Sequence, residues 1–218
     1  QGPVLVEIPA DLFGEELPQS FNYTPVPVTR SAPDPEAVEK ASIALLEAKR
    51  PVIYAGQGIH YAEAWDSLKT LAELLEAPVG TSLSGKSAFP ETHPLSLGGG
   101  GLAVPQTIFD FIKNADLILG IGCSFTRSSF ALDIPEGKTI IHATLDPSDI
   151  NKDVKVSQAL VGDANLTLNS INECVSDLLR GKPRNRFNQV TGEIATIRKS
   201  WIQRWKPKLT DTSTVSYT

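Results

Sequence analysis

Pro78-Val79-Gly80-Thr81-Ser82-Leu83-Ser84-Gly85-Lys86-Ser87-Ala88-Phe89-Pro90-Glu91-Thr92-His93-Pro94-Leu95-Ser96-Leu97-Gly98 admits two readings, and the fold depends on which is taken. Gly80, Gly85, Lys86 and Ser87 spell Gly-x-x-x-x-Gly-Lys-Ser. In a phosphate-binding loop of that spelling, a strand feeds a turn of backbone N–H groups, and a helix opens at the lysine with its positive dipole end toward the anion. A helix opening there would meet Pro90 within about a turn and Pro94 a turn later. Each proline removes a backbone donor and clashes with the preceding turn, at a cost of roughly 3 kcal/mol. The segment therefore reads as a strand over residues 78–81 followed by a proline-studded turn with no helix at Lys86.

Outward from that strand the pattern alternates. Upstream, Val38, Ala41, Leu45 and Ala48 share one helical face, and residues 52–55 form an apolar run closing on Gly56-Gln57-Gly58. Tyr61, Ala64, Leu68, Leu71, Ala72 and Leu75 again recur at helical spacing. Downstream, Val104, Ile108 and Ile112 mark a helix after the glycine loop at 98–101, and residues 117–121, 139–144 and 158–161 read as strands. Leu168, Ile171, Val175 and Leu178 lie on the face of a last helix, which Gly181 and Pro183 end. Strands that are apolar throughout are buried on both faces, so the prediction is an α/β fold: a doubly wound parallel sheet, Rossmann-like, of the NAD/FAD-binding type, with helices on both faces. Pro3, Pro9, Pro18, Pro25, Pro27 and Pro33 make residues 1–33 one strand plus an extended linker. From 185 onward Trp201 and Trp205 precede a Thr/Ser-rich end without periodicity.

At 218 residues the chain can bury one core, and a hydrophobic content of 41% with 21% charged residues is that of a globular protein. A formal charge of -5 offers no basic field for a nucleic acid. No apolar run is long enough to cross a bilayer, and the N-terminus lacks a basic stretch followed by an apolar one. Cys123 and Cys174 show no pairing or metal-ligand rhythm, which fits free thiols in a reducing, cytoplasmic compartment and gives no support for a zinc site. Opening on Gln and containing no Met, the chain reads as an excised piece of something larger.

In a doubly wound sheet, ligands bind at the carboxyl ends of the strands. Here those ends carry Gly56, Gln57, Gly58, Thr81, Ser82, Gly98, Gly99, Gly122, Asp146 and Asp163. Glycine lets a phosphate approach the backbone, and a strand-end carboxylate can accept from a ribose, so an adenine nucleotide crevice is one reading. The other is that each glycine simply turns the chain. Gly56-x-Gly58 lacks the third glycine of the dinucleotide fingerprint. Of the three histidines, His142 falls within a strand as a core or sheet-edge residue and His93 belongs to a Pro-Glu-x-His-Pro turn. His60 begins a helix near the crevice. No Ser/His/Asp or Cys/His arrangement emerges, so no catalytic or metal-ligating residue is assigned.

The turn Gly85 to Gly98, with Gly85-Lys86 followed by Ala88-Phe89-Pro90-Glu91-x-His93-Pro94-Leu95-x-x-Gly98, resembles the central domain of thiamine-diphosphate-dependent enzymes of the acetolactate synthase-like group. Four further stretches resemble the same family in the same order, from residue 2 to about residue 163. They are Gly2-Pro3-Val4-Leu5-Val6-Glu7-Ile8-Pro9-Ala10-Asp11, Lys49-Arg50-Pro51-Val52-Ile53-Tyr54-Ala55-Gly56-Gln57-Gly58, Asn114-Ala115-Asp116-Leu117-Ile118-Leu119-Gly120-Ile121-Gly122 and Ile141-His142-Ala143-Thr144-Leu145-Asp146-Pro147. The resemblance implies three parts: residues 1–33 as the last strand of a pyrimidine-binding domain plus linker, 34–184 as the central domain, and 185–218 as a linker toward a diphosphate-binding domain. It implies thiamine diphosphate and magnesium in the parent enzyme, a homo-oligomeric parent, and a fragment that is inactive without the other domains of the polypeptide. For members that bind FAD here, it adds Arg30 and Arg127 to Gly98, Gly99, Asp146 and Asp163 as cofactor contacts. The chain departs from those members at Gly98-Gly99-Gly100-Gly101-Leu102, where they carry Met-His-Gly, and at Phe125-Thr126-Arg127-Ser128-Ser129, where they carry paired Asp residues. FAD, an ADP-like nucleotide and an empty crevice all stay open. The alternative is a self-contained nucleotide-binding enzyme, either flavin- or NAD-dependent, or a phosphohydrolase using Lys86 with Asp146 as a magnesium ligand.

Overall fold

The computed structural model describes residues 4–17, 20, 22–101, 104–128 and 131–211. Six strands form one sheet: β1 (Pro51–Ala55), β2 (Val79–Thr81), β3 (Ser96–Gly99), β4 (Leu117–Ile121), β5 (Thr139–Thr144) and β6 (Gln158–Val161). Their order is β3-β2-β1-β4-β5-β6, every pairing is parallel, and the chain reverses its winding direction between β1 and β4. The sheet is the doubly wound one expected.

Helices α1 (Pro35–Glu47), α3 (Trp65–Leu75) and α5 (Ala164–Leu179) cover one face. Val38, Leu45, Leu68, Leu71, Leu168 and Ile171 pack there on Ile53, Leu119 and Ile141. Helices α4 (Gln106–Asn114) and α6 (Phe187–Leu209) cover the other, where Ile108, Phe111, Ile112 and Ile194 meet Val52, Tyr54, Ile118 and Ile140. The alternation of Val52 and Tyr54 with Ile53 and Ala55 divides β1 between the two cores, as the period of two in a strand requires. The four-residue α2 (Gly58–Tyr61) follows β1 directly. Asp34 caps α1 by accepting from the Glu36 amide, with Pro35 in the first helical position. Asp163 caps α5 through the amides of Asn165 and Leu166. That helix ends at Leu179, two residues before Gly181, because Arg180 itself takes the left-handed capping position at φ 50°.

Two elements depart from expectation. Ser96–Gly99, read as the edge of a glycine loop, is a strand, because β2 supplies a parallel ladder to it. Residues 187–209, to which no element was assigned, form a helix that buries Ile194 and donates from Arg198 to the Ser96 carbonyl at 2.9 Å. The described part of the expected first strand, residues 4–9, takes no regular structure, is exposed and is joined to no strand of this sheet, and Ala10–Gly14 form a short 3-10 turn.

Candidate functional site

The winding reversal opens a crevice of about 500 Å³ at the carboxyl ends of β1, β4 and β5. Its back wall exists because two backbones touch. The Gly58 amide donates to the Gly122 carbonyl at 2.8 Å, and Gly122 adopts φ +62°. A Cβ on Gly56 would lie 2.3 Å from that carbonyl. These glycines bring the β1 and β4 ends together, and the opening falls where such a sheet places ligands.

Six of the residues singled out from the sequence line this crevice: Gln57, Gly58, Ser82, Gly122, Arg127 and Asp146. The other six lie elsewhere. Gly56 packs behind the wall, and Thr81 is buried in β2 with its carbonyl accepting from the Gly100 amide. Gly98 and Gly99 belong to the β3 edge, where Gly98 turns at φ +90° beside Pro105. Arg30 and Asp163 face each other at 3.8 Å, and the Asp163 amide donates to the Ser31 carbonyl, so this pair fastens the segment before α1 to the start of α5.

Asp146 sits at the rim and caps a short 3-10 turn at Pro147–Asp149 by accepting from the Ser148 amide at 2.9 Å; hydrogen bonding from Ser148 holds its carboxyl below the usual range. Arg127 is placed by its backbone, which donates to Asp153 Oδ2 at 2.8 Å, while Lys152 reaches Thr126 and Asp149. Thus the loops after β4 and β5 are tied to each other beside the opening. Thr144 Oγ1 accepts from the Asp146 amide and donates toward Asp149 Oδ2 at 3.4 Å.

Tyr54, Tyr61, Ser84, Phe125 and Asp149 also line the opening and were not singled out beforehand. Cys123 does too, and burial pushes its thiol up to about 12, which favours the neutral thiol over the thiolate. The one available signal was Gly120 inside an apolar strand, since an isolated glycine there marks close approach of another group. That group is Phe125, whose ring lies over Gly120.

His60 is taken up structurally. Its Nδ1 accepts from the Trp65 indole at 3.0 Å, which leaves Nε2 to donate to the Lys86 carbonyl at 3.0 Å. His93 accepts from the Leu95 amide and reaches Glu73, a turn-forming role. His142 is buried, with Nε2 donating to the Cys123 carbonyl.

The Lys86 turn holds no helix, as the prolines foretold: residues 84–87 are turns, and Ser87 stands at φ +70°. The amides of Gly85, Lys86 and Ala88 donate to the carbonyls of Ser82, Leu83 and Gly85, so they are spent within the loop and do not converge on an anion. Gly85 is explained by packing, because a Cβ there would stand 2.7 Å from the Ala55 carbonyl. Among the described residues no group of three or more His, Cys, Asp or Glu is arranged to hold a metal, and no helix is long and apolar enough to cross a membrane.

A family profile described as the thiamine pyrophosphate enzyme central domain matches residues 38–171. The chain is 34% identical over 181 residues to a probable acetolactate synthase large subunit of Methanocaldococcus jannaschii, covering 78% of this chain and 30% of that protein. It is 37% identical over 173 residues to the acetolactate synthase large subunit of Corynebacterium glutamicum, covering 75% and 27%. Among solved structures, benzoylformate decarboxylase from Polynucleobacter necessarius superposes with a TM-score of 0.61 at 29% identity, over 73% of this chain and 30% of that one. The chain thus spans less than a third of the length of each of these relatives. On the profile, which spans more than half of the chain, the chain belongs to the thiamine pyrophosphate enzyme family as its central domain, and it is acetolactate synthase-like in its relatives.

Proposed function

We propose that this domain is the non-catalytic scaffold of a thiamine-diphosphate-dependent 2-keto acid decarboxylase or carboligase, and that its crevice takes an ADP-like nucleotide. The observation that carries the nucleotide reading is the convergence of Gln57, Gly58, Ser82, Gly122, Arg127 and Asp146 at the winding reversal. Glycine backbone admits a phosphate, Arg127 supplies charge for it, and Asp146 can accept from a ribose. A volume of about 500 Å³ is of the size that holds one nucleotide. The smaller ligand is favoured over FAD because Arg30, Gly98, Gly99 and Asp163, four of the positions implied for flavin contact, lie outside the crevice. Thiamine diphosphate and magnesium are cofactors of the parent enzyme in this reading and are not assigned to this crevice. Those groups belong to the whole enzyme, formed with other domains of the polypeptide and with further copies of it. The spent amides of the Lys86 turn argue against a phosphohydrolase.

Isothermal titration with ADP tests the reading. One ADP per chain is expected, weakened about tenfold or more in Arg127→Met through loss of a charge-assisted hydrogen bond. Absence of saturable ADP binding at millimolar concentration would remove the nucleotide from the proposal and leave an empty crevice.

A further inference from the structure

One row of the sheet runs Gly80, Tyr54, Gly120, His142, Ala159 across five neighbouring strands. Gly120 has no side chain, so a slot one ring wide lies between Tyr54 and His142. The chain fills it with its own Phe125, whose ring is so close that a Cβ on Gly120 would come within 2.2 Å. That ring stacks on Tyr54 at 6.0 Å and 11°, and meets His142 in a T-shaped contact at 4.8 Å and 61°. Tyr54 and Phe125 line the crevice; Gly120 and His142 do not. Phe125 is the plug between them.

Two features make the plugged arrangement costly. Phe125 adopts φ +49°, the left-handed region that crowds any side chain. His142 is 0% exposed and Nε2 lies 2.7 Å from the Cys123 carbonyl, which can only accept, so the proton is on Nε2 and Nδ1 is a bare acceptor. That Nδ1 has no hydrogen-bond partner among the described residues. A buried acceptor without a donor is unfavourable, and Phe125, the ring that meets His142, has no donor to supply.

We infer that the Tyr54–Gly120–His142 slot is a second binding site, which a planar heteroaromatic ring bearing one N–H donor at its edge enters from the crevice by displacing Phe125. The incoming ring inherits the Tyr54 stack, its N–H satisfies His142 Nδ1, and Phe125 leaves its left-handed backbone. A ring of the same shape without the N–H gains only the stack. This goes beyond the nucleotide reading and does not rest on it.

Indole, and benzofuran with an oxygen in place of the N–H, are the probes, followed by NMR on the intact chain. In the wild type, saturating indole should abolish the cross-relaxation between the Phe125 and His142 rings and shift the His142 ring nitrogen signals, with benzofuran binding at least tenfold more weakly. Phe125→Ala should bind indole at least tenfold more tightly than the wild type and keep the preference over benzofuran. Persistence of the Phe125–His142 signals at saturating indole would overturn the inference. So would equal affinity of Phe125→Ala for the two rings, since a mere void has no donor preference. Should Phe125→Ala fail to fold, the wild-type titration decides. No nucleotide enters these measurements, so this inference and the ADP reading can fail separately.

Discussion

Gly58 and Gly122 meet backbone to backbone at the junction of β1 and β4: a Cβ built on Gly58 falls 2.6 Å from the Gly122 Cα. The crevice is open because neither residue has a side chain. An alanine at either position must push the two strand ends apart, and the ligand-facing loops after β1 and β4 move with them.

Gly58→Ala is expected to lower stability by about 1–3 kcal/mol, the range for an overpacked interior. Gly122→Ala should cost about 1–2 kcal/mol more, because its φ of +62° is left-handed. Gly137→Ala is the control: it shares a positive φ of 83° but has open space around it, so only the conformational part is lost. Urea denaturation of the three variants separates clash from conformation. A Gly58→Ala variant as stable as the wild type would show that the wall is not set by that contact.

The sheet was legible because its central strands are short apolar runs separated by helical periods, as in residues 52–55 and 117–121. β3 was not, since Ser96-Leu97-Gly98-Gly99 has a single large apolar side chain and becomes a strand only through the ladder β2 offers. α6 escaped for the opposite reason: it buries Ile194 alone among its residues and so prints little periodicity. At the site, strand-end glycines could be found by spelling. Phe125 could not, because its place depends on the register that sets Gly120 between Tyr54 and His142. Nor could spacing reveal that Arg30 and Asp163, both proposed as cofactor contacts, face each other.

The Lys86 turn yields a sharp expectation. With its amides bonded internally, Lys86→Ala should leave both ATP binding and ATP hydrolysis at the wild-type level, measured by titration and phosphate release. Gly85→Ala, by contrast, should destabilise the fold through its approach to the Ala55 carbonyl. An ATPase that vanishes in Lys86→Ala would restore the phosphate-binding reading.

Arg184 and Glu76 fix α6 to the rest of the domain. The Arg184 guanidinium donates to the carbonyls of Leu46 (2.7 Å), Ala48 (3.1 Å) and Leu75 (3.1 Å), at the ends of α1 and α3, where a cation also suits the helix dipoles. Glu76, at φ 48° just past α3, accepts from the amides of Asn185, Arg186 and Phe187 at the start of α6. Arg184→Met should cost about 2–4 kcal/mol, discounted for partial exposure, and Glu76→Gln about 0.5–1 kcal/mol. In both variants amide hydrogen exchange should accelerate in the first turns of α6 before it does in β1 or β4. Uniform acceleration would mean that the pair stabilises the domain as a whole and does not act as a local fastening.

His142 gives the acid side of the stability curve a defined shape. Burial, the largest cause, holds its folded pKa below 6.5, and the Cys123 carbonyl and the Asp149 charge only partly oppose this. Between that lowered value and 6.5 the unfolded chain binds more protons than the folded one, so stability rises with pH across the window. It is complete above about 6.5 and is lost as pH falls, with a slope of at most about 1.4 kcal/mol per pH unit. His142→Gln, whose amide can still donate to the Cys123 carbonyl, should flatten the curve between the lowered pKa and 6.5 while the carboxylate-driven fall at lower pH remains. Urea midpoints taken at half-unit steps from pH 4.5 to 7.5 read this directly, and an unchanged slope in His142→Gln would show that His142 is free to charge in the folded state.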